Sequence, residues 1–238
     1  MKKKSLLIIT LFFTFLLVGA GCSVSSNSQK VLNVSEDRGY TSFNKEEIQQ
    51  IIKDKQEEGS VITKEEKQDI WFILEEEKMV RDLYYNFYQE YDNEVFEKLY
   101  KAENTQFEAV QQLVRNYNLE DPTSNKDVGK FKNLQIQMIY DELLEQGNEN
   151  IKESMIASID AQERSLRDVR ENIERTDKDD IIFVFKNLET ASKNHLRILM
   201  ERLKEEGKDY ESQYLEQADF DDITSDEIET GAWWKFWR

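Results

Sequence analysis

Apolar residues recur at spacings of three and four along four long stretches of this sequence. Such spacing places the apolar side chains on one face of an α-helix, where they can pack against other helices. The chain also contains only one Pro and eight Gly among 238 residues, which disfavours a turn-rich β fold. The sequence therefore predicts an all-α protein, whose four apolar stripes lie within residues 70–91, 96–117, 151–173 and 181–203.

The lengths of the connections predict how these helices are arranged. The first and second helices are joined by a short link, as are the third and fourth, so each pair is expected to be antiparallel. A link of about thirty residues joins the two pairs and carries a shorter predicted helix, residues 134–146, that ends at Gly147. We therefore predict a ferritin-like four-helix bundle with one long crossover over residues 61–206, followed by a C-terminal extension over 207–238.

The N-terminus has the features of an export signal. Lysines at positions 2–4 precede a nearly continuous apolar segment, residues 5–18, which is too short to span a bilayer comfortably. The small residues that end at Cys22 resemble the lipobox of bacterial lipoproteins. This resemblance implies that residues 1–21 are a signal peptide, that Cys22 is lipidated, and that the protein is anchored on the extracytoplasmic side of the cell membrane. The alternative is an uncleaved membrane anchor with an incidental Cys22.

Residues 22–60 are expected to form a flexible tether between this anchor and the bundle. The beginning of the segment is polar and shows no helical apolar period. Ile48, Ile51 and Ile52 are the exception, because their spacing is compatible with one short amphipathic helix.

The last residues of the chain contrast with its acidic remainder. Trp233, Trp234, Phe236 and Trp237 are interspersed with basic residues, a combination typical of a membrane interface. We therefore expect this tail to contact the membrane to which Cys22 is attached. The alternative is that the tail docks on an apolar groove of its own domain.

Composition excludes several classes of function. One Cys cannot form an intramolecular disulfide or a Cys-built zinc or iron–sulfur site. One His, His195, excludes any metal site that needs two or three imidazoles from one chain. A formal net charge of −17 argues against a nucleic-acid partner, since phosphates require a basic surface.

Polar residues interrupt each apolar stripe at positions that face the predicted core. A buried carboxylate is unfavourable unless it is paired or bound to a metal ion. Four helices that each direct a candidate ligand inward match the layout of di-iron carboxylate bundles. The core-facing polar residues are Glu77, Glu103 with Gln106, Gln162 beside Glu163, and His195.

Several segments, in order and at matching intervals, resemble a ferritin-like domain family called domain of unknown function twenty-two-zero-two. The resemblance covers about residues 61–223 and implies a ferritin-like fold. It also implies that Glu77, Glu103 and His195 occupy the positions of metal ligands. The matching segments are EEEKMVRDLYYNFY, AENTQFEAVQQLVRNYNLEDP, YDELLEQG, ERTDKDDI and SKNHLRIL.

The chain departs from the family pattern at two ligand positions. Gln106 stands where the second helix of the family has His. Gln162 and Glu163 stand where the third helix has two consecutive Glu, and the apolar stripe favours Gln162 as the inward residue, with Glu163 at the edge. A carboxamide is a much poorer ligand for divalent iron than an imidazole or a carboxylate. We therefore expect a degenerate site that does not support catalysis.

Other functions are compatible with the same residues. Glu77, Glu103, Glu163 and His195 could hold iron, manganese or another divalent metal in an oxidoreductase or a metal-handling protein of the cell envelope. A third interpretation is an envelope protein-binding module, whose partner the sequence does not identify. Ferritin-like domains often pair through helix faces, so a homodimer is also considered.

Overall fold

Helices make up most of the described chain, as the sequence predicts. The computed structural model describes residues 31–36, 39–56, 60–124 and 127–229. A short antiparallel hairpin comes first, formed by β1 (Leu32–Val34) and β2 (Thr41–Phe43). The helices follow in the order α1 (Lys45–Lys55), α2 (Lys64–Tyr91), α3 (Glu94–Asn116), α4 (Leu134–Gly147), α5 (Ile151–Glu174), α6 (Asp179–Glu205) and α7 (Gln217–Ser225).

Local capping fixes where the first two long helices begin and end. Thr63 and Glu66 form the predicted capping box at the start of α2. Asp92 ends α2 with a left-handed backbone (φ 47°), and the side chain of Asn93 then accepts the backbone N–H of Val95 to start α3. Because only these two residues separate the helices, α2 and α3 are antiparallel neighbours that pack along their lengths.

The second pair of long helices is built in the same way. The side chain of Asn150 caps the start of α5, and a short turn over residues 175–178 leads into α6. The two pairs then pack on each other through α2 against α5 and α3 against α6. Their apolar faces meet in a shared interior, where Leu83, Phe96, Leu166 and Leu199 are completely buried. The four predicted apolar stripes are thus confirmed as core-facing.

The crossover helix α4 is confirmed and packs on α2 and α5. Gly147, its last residue, lies directly against the ring of Phe87 on α2. A Cβ atom at this position would be 2.2 Å from Phe87 Cζ, so only glycine permits this approach. The close contact places the end of α4 on α2, and Tyr91 OH donates a hydrogen bond to the Gly147 carbonyl at 2.6 Å.

The structure corrects the expectation that residues 22–60 form a flexible tether, as far as it describes them. The β1–β2 hairpin and α1 pack onto α3 and α6. The short amphipathic helix suggested by the isoleucines is confirmed as α1. The tether interpretation fails because the few apolar side chains of this segment pack against a surface of the long helices. The buried ones are Val31, Leu32, Phe43, Ile48 and Ile52.

The C-terminal extension also packs on the long helices. Gly207 follows α6 with a positive φ of 72°, which turns the chain back. Phe220 and Ile223 of α7 are buried against α6 and join the main core. Cys22 and the aromatic tail, residues 233–237, lie outside the described residues. Among the helices that are described, none has the length and apolar character needed to cross a membrane.

The burial of α1 can be tested with two adjacent isoleucines. Ile52 is completely buried, whereas Ile51 is only partly buried. We expect Ile52→Ala to lower the free energy of unfolding by about 2–5 kcal/mol, because it leaves a cavity against the long helices. Ile51→Ala should have a clearly smaller effect. Denaturant unfolding of both variants measures this difference, and equal small losses would mean that α1 contributes nothing to the core.

Candidate functional site

Five polar side chains from four different helices are buried in the interior, and we call them the polar core. Each is at most 2% exposed. They are the candidates whose spacing indicated inward orientation, and the structure confirms that orientation. The members are Glu77 on α2, Glu103 and Gln106 on α3, Gln162 on α5 and His195 on α6.

One oxygen atom of Glu103 is the centre of the polar core. Glu103 Oε1 lies 2.8 Å from His195 Nδ1 and 2.6 Å from Gln162 Nε2. The same Gln162 amide nitrogen lies 3.1 Å from the hydroxyl of Tyr84, a residue that the sequence indicated only as core packing. A buried carboxylate is tolerated when hydrogen-bond donors surround it, and these contacts supply two. Glu103 therefore links α3 to both α5 and α6.

Both ring nitrogens of His195 are engaged. Its Nε2 atom accepts a hydrogen bond from the backbone N–H of Thr41, at 3.3 Å. An imidazole nitrogen that accepts carries no proton, so the proton of the neutral ring is on Nδ1 and is donated to Glu103. This tautomer is assigned from the hydrogen-bond network. The imidazole thus bridges the carboxylate of Glu103 and the main chain of β2.

Glu77 differs from Glu103 because few groups stabilise its charge. Ser165 donates to Glu77 Oε1 at 3.2 Å, but Oε2 has no hydrogen-bond partner. Burial raises the pKa of the Glu77 carboxyl well above its ordinary value of 4.5, and the charge of Glu103 raises it further. The geometry therefore favours Glu77 as a neutral acid beside an ionised Glu103.

Glu163, which the sequence indicated as a candidate metal ligand, lies outside the polar core. Its carboxylate is completely buried but faces the C-terminal extension. It accepts hydrogen bonds from the hydroxyls of Tyr210 and Ser212, and from the backbone N–H groups of Gln213 at 3.1 Å and Leu215 at 3.4 Å. The neighbouring Gln162 faces inward instead, as the apolar stripe indicated. Glu163 is therefore an anchor for residues 210–215.

The terminal segments form a cover over the polar core, which the sequence did not indicate. The side-chain amide of Asn194 donates to Thr41 Oγ1 and to the carbonyl of Glu229, each at 2.8 Å. Its carbonyl oxygen accepts the backbone N–H of Glu229 at 2.9 Å. Ile228 lies so close to Gly39 that a Cβ atom there would be 2.5 Å from its side chain. The hairpin and the C-terminal segment thus close the same end of the core.

The donor set does not fit the two-metal site implied by a di-iron bundle. Within the described ranges, no three His, Cys, Asp or Glu side chains gather in a way that could hold a metal ion. The Nε2 lone pair of His195 is taken by a backbone N–H, and Nδ1 carries a proton. Gln106 and Gln162 offer neutral carboxamides, and Glu163 points elsewhere. Three buried atoms of the polar core still have no hydrogen-bond partner: Glu77 Oε2, Gln106 Nε2 and Gln162 Oε1.

Comparison with known proteins identifies relatives of the helical part of this chain. Residues 66–227 match the family described as uncharacterized protein domain DUF2202. The uncharacterized protein MJ0754 of Methanocaldococcus jannaschii is 31% identical over 170 residues, which cover 71% of this chain and 92% of that protein. The crystal structure of hypothetical protein MJ0754 from Methanococcus jannaschii superimposes with a TM-score of 0.70 at 30% identity, covering 71% of this chain and 97% of that one.

Two buried carboxyl groups should respond in opposite ways to conversion into amides. A carboxyl whose pKa is higher in the folded than in the unfolded chain loses stability as the pH rises above its unfolded pKa, because ionisation favours unfolding. Glu77→Gln removes that ionisation and keeps the acceptor for Ser165. We therefore expect this variant to be more stable than the wild type at about pH 8, with a smaller gain at about pH 4.

Glu163→Gln is the matched control. Its amide cannot accept all the donors that the carboxylate accepts, so we expect a loss of about 1–3 kcal/mol at neutral pH. Urea unfolding across the pH range measures both variants. A Glu77→Gln protein that is no more stable than the wild type at high pH would contradict the assignment of Glu77 as a neutral acid.

Proposed function

Because the chain belongs to the DUF2202 family, we propose that it is a ferritin-like protein of the cell envelope, lipid-anchored and non-catalytic, with a metal-free polar core. In this proposal the hydrogen bonds of the polar core take over the structural part that metal ions play in di-iron bundles. The long helices then serve as a rigid support for surfaces elsewhere on the molecule.

The order and contacts of the helices support the ferritin-like part of the proposal. Two antiparallel pairs, α2 with α3 and α5 with α6, are joined by a long connection that contains α4. One long crossover between two helical hairpins is the connection pattern of ferritin-like folds. The polar core lies between these pairs, at the place where such folds build their metal sites.

The occupancy of both nitrogens of His195 is the observation that carries the metal-free assignment. A metal ion would need a lone pair on one nitrogen. A metal ion bound to Nε2 would leave the Thr41 N–H without its acceptor. A metal ion bound to Nδ1 would displace the proton that is donated to Glu103. The imidazole therefore serves as a hydrogen-bond bridge between the α3 carboxylate and β2.

The placement of the chain's described ends supports attachment to one surface. Val31, the first described residue of the hairpin segment, accepts a hydrogen bond from the backbone N–H of Asn44. Glu229, the last described residue, lies on Asn194 beside the same hairpin. In our proposal Cys22 and the tail with Trp233, Trp234, Phe236 and Trp237 reach a common membrane from this side of the molecule.

A metal-handling function is the second candidate, and one observation favours it. Glu77 Oε2, Gln106 Nε2 and Gln162 Oε1 are buried without hydrogen-bond partners, and buried polar atoms of this kind are unusual in native proteins. A bound group could satisfy the two oxygens. Glu77 and Glu103 would be its carboxylate ligands, for iron, manganese or another divalent ion.

The two candidates differ in how metal should affect stability. If the polar core is metal-free, His195→Ala should lower the free energy of unfolding by about 1–3 kcal/mol, with chelator or with added Fe²⁺ or Mn²⁺, because Glu103 and Thr41 each lose a partner. Thermal unfolding of the wild type and the variant under both conditions measures this. A metal-dependent rise in the wild-type Tm that His195→Ala abolishes would instead establish a metal site.

Two substitutions to histidine extend this experiment, one within the polar core and one outside it as the matched control. Gln106→His restores the spacing of a Glu-x-x-His pair with Glu103, and we expect it to increase affinity for Zn²⁺ or Fe²⁺. Gln112→His introduces the same residue farther along α3, on a side chain that bonds Asn116 at 2.7 Å outside the polar core. It should leave metal affinity unchanged.

The membrane-attachment part is tested by two changes outside the folded core. We expect the mature wild-type chain to carry a diacyl- or triacyl-modified Cys22, and Cys22→Ala to block lipidation and normal signal cleavage. Vesicle binding by the unlipidated chain should decrease when the chain is truncated after Gly231, because the tryptophans are removed. Mass spectrometry and vesicle sedimentation report the two results. A mature N-terminus other than lipidated Cys22 would exclude the anchor, and unchanged vesicle binding would exclude the tail.

A further inference from the structure

A groove of about 600 Å³ runs between α2, α5 and the start of α4, and none of its lining residues belongs to the polar core. Its volume lies within the range of small-ligand sites. Trp71 and Phe72 provide aromatic surface on one wall. Four amide side chains also line the groove, among several charged residues. Asn133 caps α4 and Asn172 bonds Asp168 and Arg175, whereas Gln68 and Gln135 offer amides that can both donate and accept hydrogen bonds to a ligand.

The ionic groups of the groove are largely neutralised by one another. Arg175 Nε lies 3.3 Å from Asp69 Oδ2, and Arg167 Nε lies 2.7 Å from Asp168 Oδ1. The carboxylate of Glu75 accepts the backbone N–H groups of Lys132 and Asn133 at the start of α4. Of the remaining charged lining residues, Lys132 lies 3.7 Å from Glu120, which is not part of the lining, and Glu171 is exposed to solvent. Most of the ionic groups of the groove therefore already have partners. Such a lining suits an uncharged polar ligand better than an ion.

Trp71 is fixed as a platform at this wall. Its Nε1–H donates to the carbonyl of Glu120 at 2.7 Å, which holds the orientation of the indole. The ammonium of Lys67 lies 4.3 Å from the ring centre, and that of Lys132 lies 5.9 Å away. Of these two lysines only Lys132, the more distant, lines the groove, so a ligand on the groove side of the indole would take its place. The C–H face of a sugar ring is positively polarised and suits the same aromatic surface.

A buried acid stands behind the groove. Glu76 is 3% exposed, its Oε2 has no hydrogen-bond partner, and its carboxyl contacts that of Asp168 in the groove wall. Burial, and then the charge of Asp168, raise the pKa of Glu76 well above its usual value, so the neutral acid donates to Asp168. Glycoside hydrolases hold their two carboxyl groups about 5 Å or more apart. The carboxyl groups of Glu76 and Asp168 are in direct contact, so they lack the spacing that cleavage of a glycosidic bond requires. We therefore assign them to the wall of a binding site.

We infer that this groove binds a short, uncharged oligosaccharide, with Trp71 stacking on a sugar ring and the amide and paired ionic side chains bonding its hydroxyl groups. This inference does not depend on whether the polar core holds metal or on membrane attachment. Its test can therefore fail while the proposed function stands, and the reverse also holds.

Isothermal titration calorimetry of the purified full chain with the uncharged trimer of N-acetylglucosamine tests the inference. We expect saturable binding, weakened about tenfold by Trp71→Leu through loss of stacking. Gln135→Ala, an exposed change at the groove rim, should also weaken binding without affecting folding. Gln112→Ala on the distant part of α3 is the matched control and should bind as the wild type does. Glu76→Gln should bind normally, since an amide can still donate to Asp168.

The outcomes separate clearly. Binding that depends on both Trp71 and Gln135 supports the inference. Failure to bind both this trimer and an uncharged glucose trimer overturns it, as does binding that neither substitution weakens. Tighter binding of an acidic hexapeptide than of either sugar would also overturn it, because it would assign the groove to an ionic ligand. Circular dichroism of Trp71→Leu checks that the variant is folded, and Gln135→Ala decides the question if it is not.

Discussion

The hydrogen bonds to Glu103 Oε1 are the constraint on which the interior of this protein depends. An ionised carboxylate in an apolar interior is stable only when donors reach it from the surrounding elements. Here the donors are Gln162 of α5 and His195 of α6. Because each donor projects from a different helix, the contacts define the axial register of three helices at once. Apolar packing alone would fix that register less specifically.

The elements outside the four long helices complete this interior. The main chain of β2 supplies the donor for His195 Nε2, and Glu163 holds the segment that leads back to α7. Arg197, 7% exposed, donates to the carbonyl of Ile223 at 2.7 Å and so fastens α7 to α6. The short hairpin, α1 and the C-terminal extension are therefore parts of one packed unit, in which polar contacts accompany apolar burial.

Much of this architecture could be predicted from the sequence, and the reason is local. The signals that predicted it depend only on residues within a turn or two of each other; they are the stripe from Ile70 onward, the Thr63 capping box and Gly147. The same periodicity separated Gln162 from Glu163, since consecutive helical residues point about 100° apart. The hydrogen-bond partners of Glu163 lie within residues 210–215, and the spacing of residues within α5 carries no information about that segment.

The hairpin was missed for a related reason. Its strands are three residues each, too short for an alternating pattern, and their burial arises from surfaces of α3 and α6. Thr41 carries no signal of its contact with His195, because that contact uses its backbone. The pairing of Glu76 with Asp168 was missed because neither residue lies at a stripe position.

The cover formed by Thr41, Asn194 and Glu229 has a consequence for the order of folding. Thr41 lies 154 residues before His195 and 153 residues before Asn194, and Asn194 bonds Glu229 a further 35 residues on. Contacts of such long sequence separation close late, since the intervening chain must first be ordered. During synthesis, the hairpin near the N-terminus leaves the ribosome long before its partners on α6 exist. Its final packing therefore follows translation of nearly the whole chain, so a nascent chain held before that point keeps its N-terminal segment open.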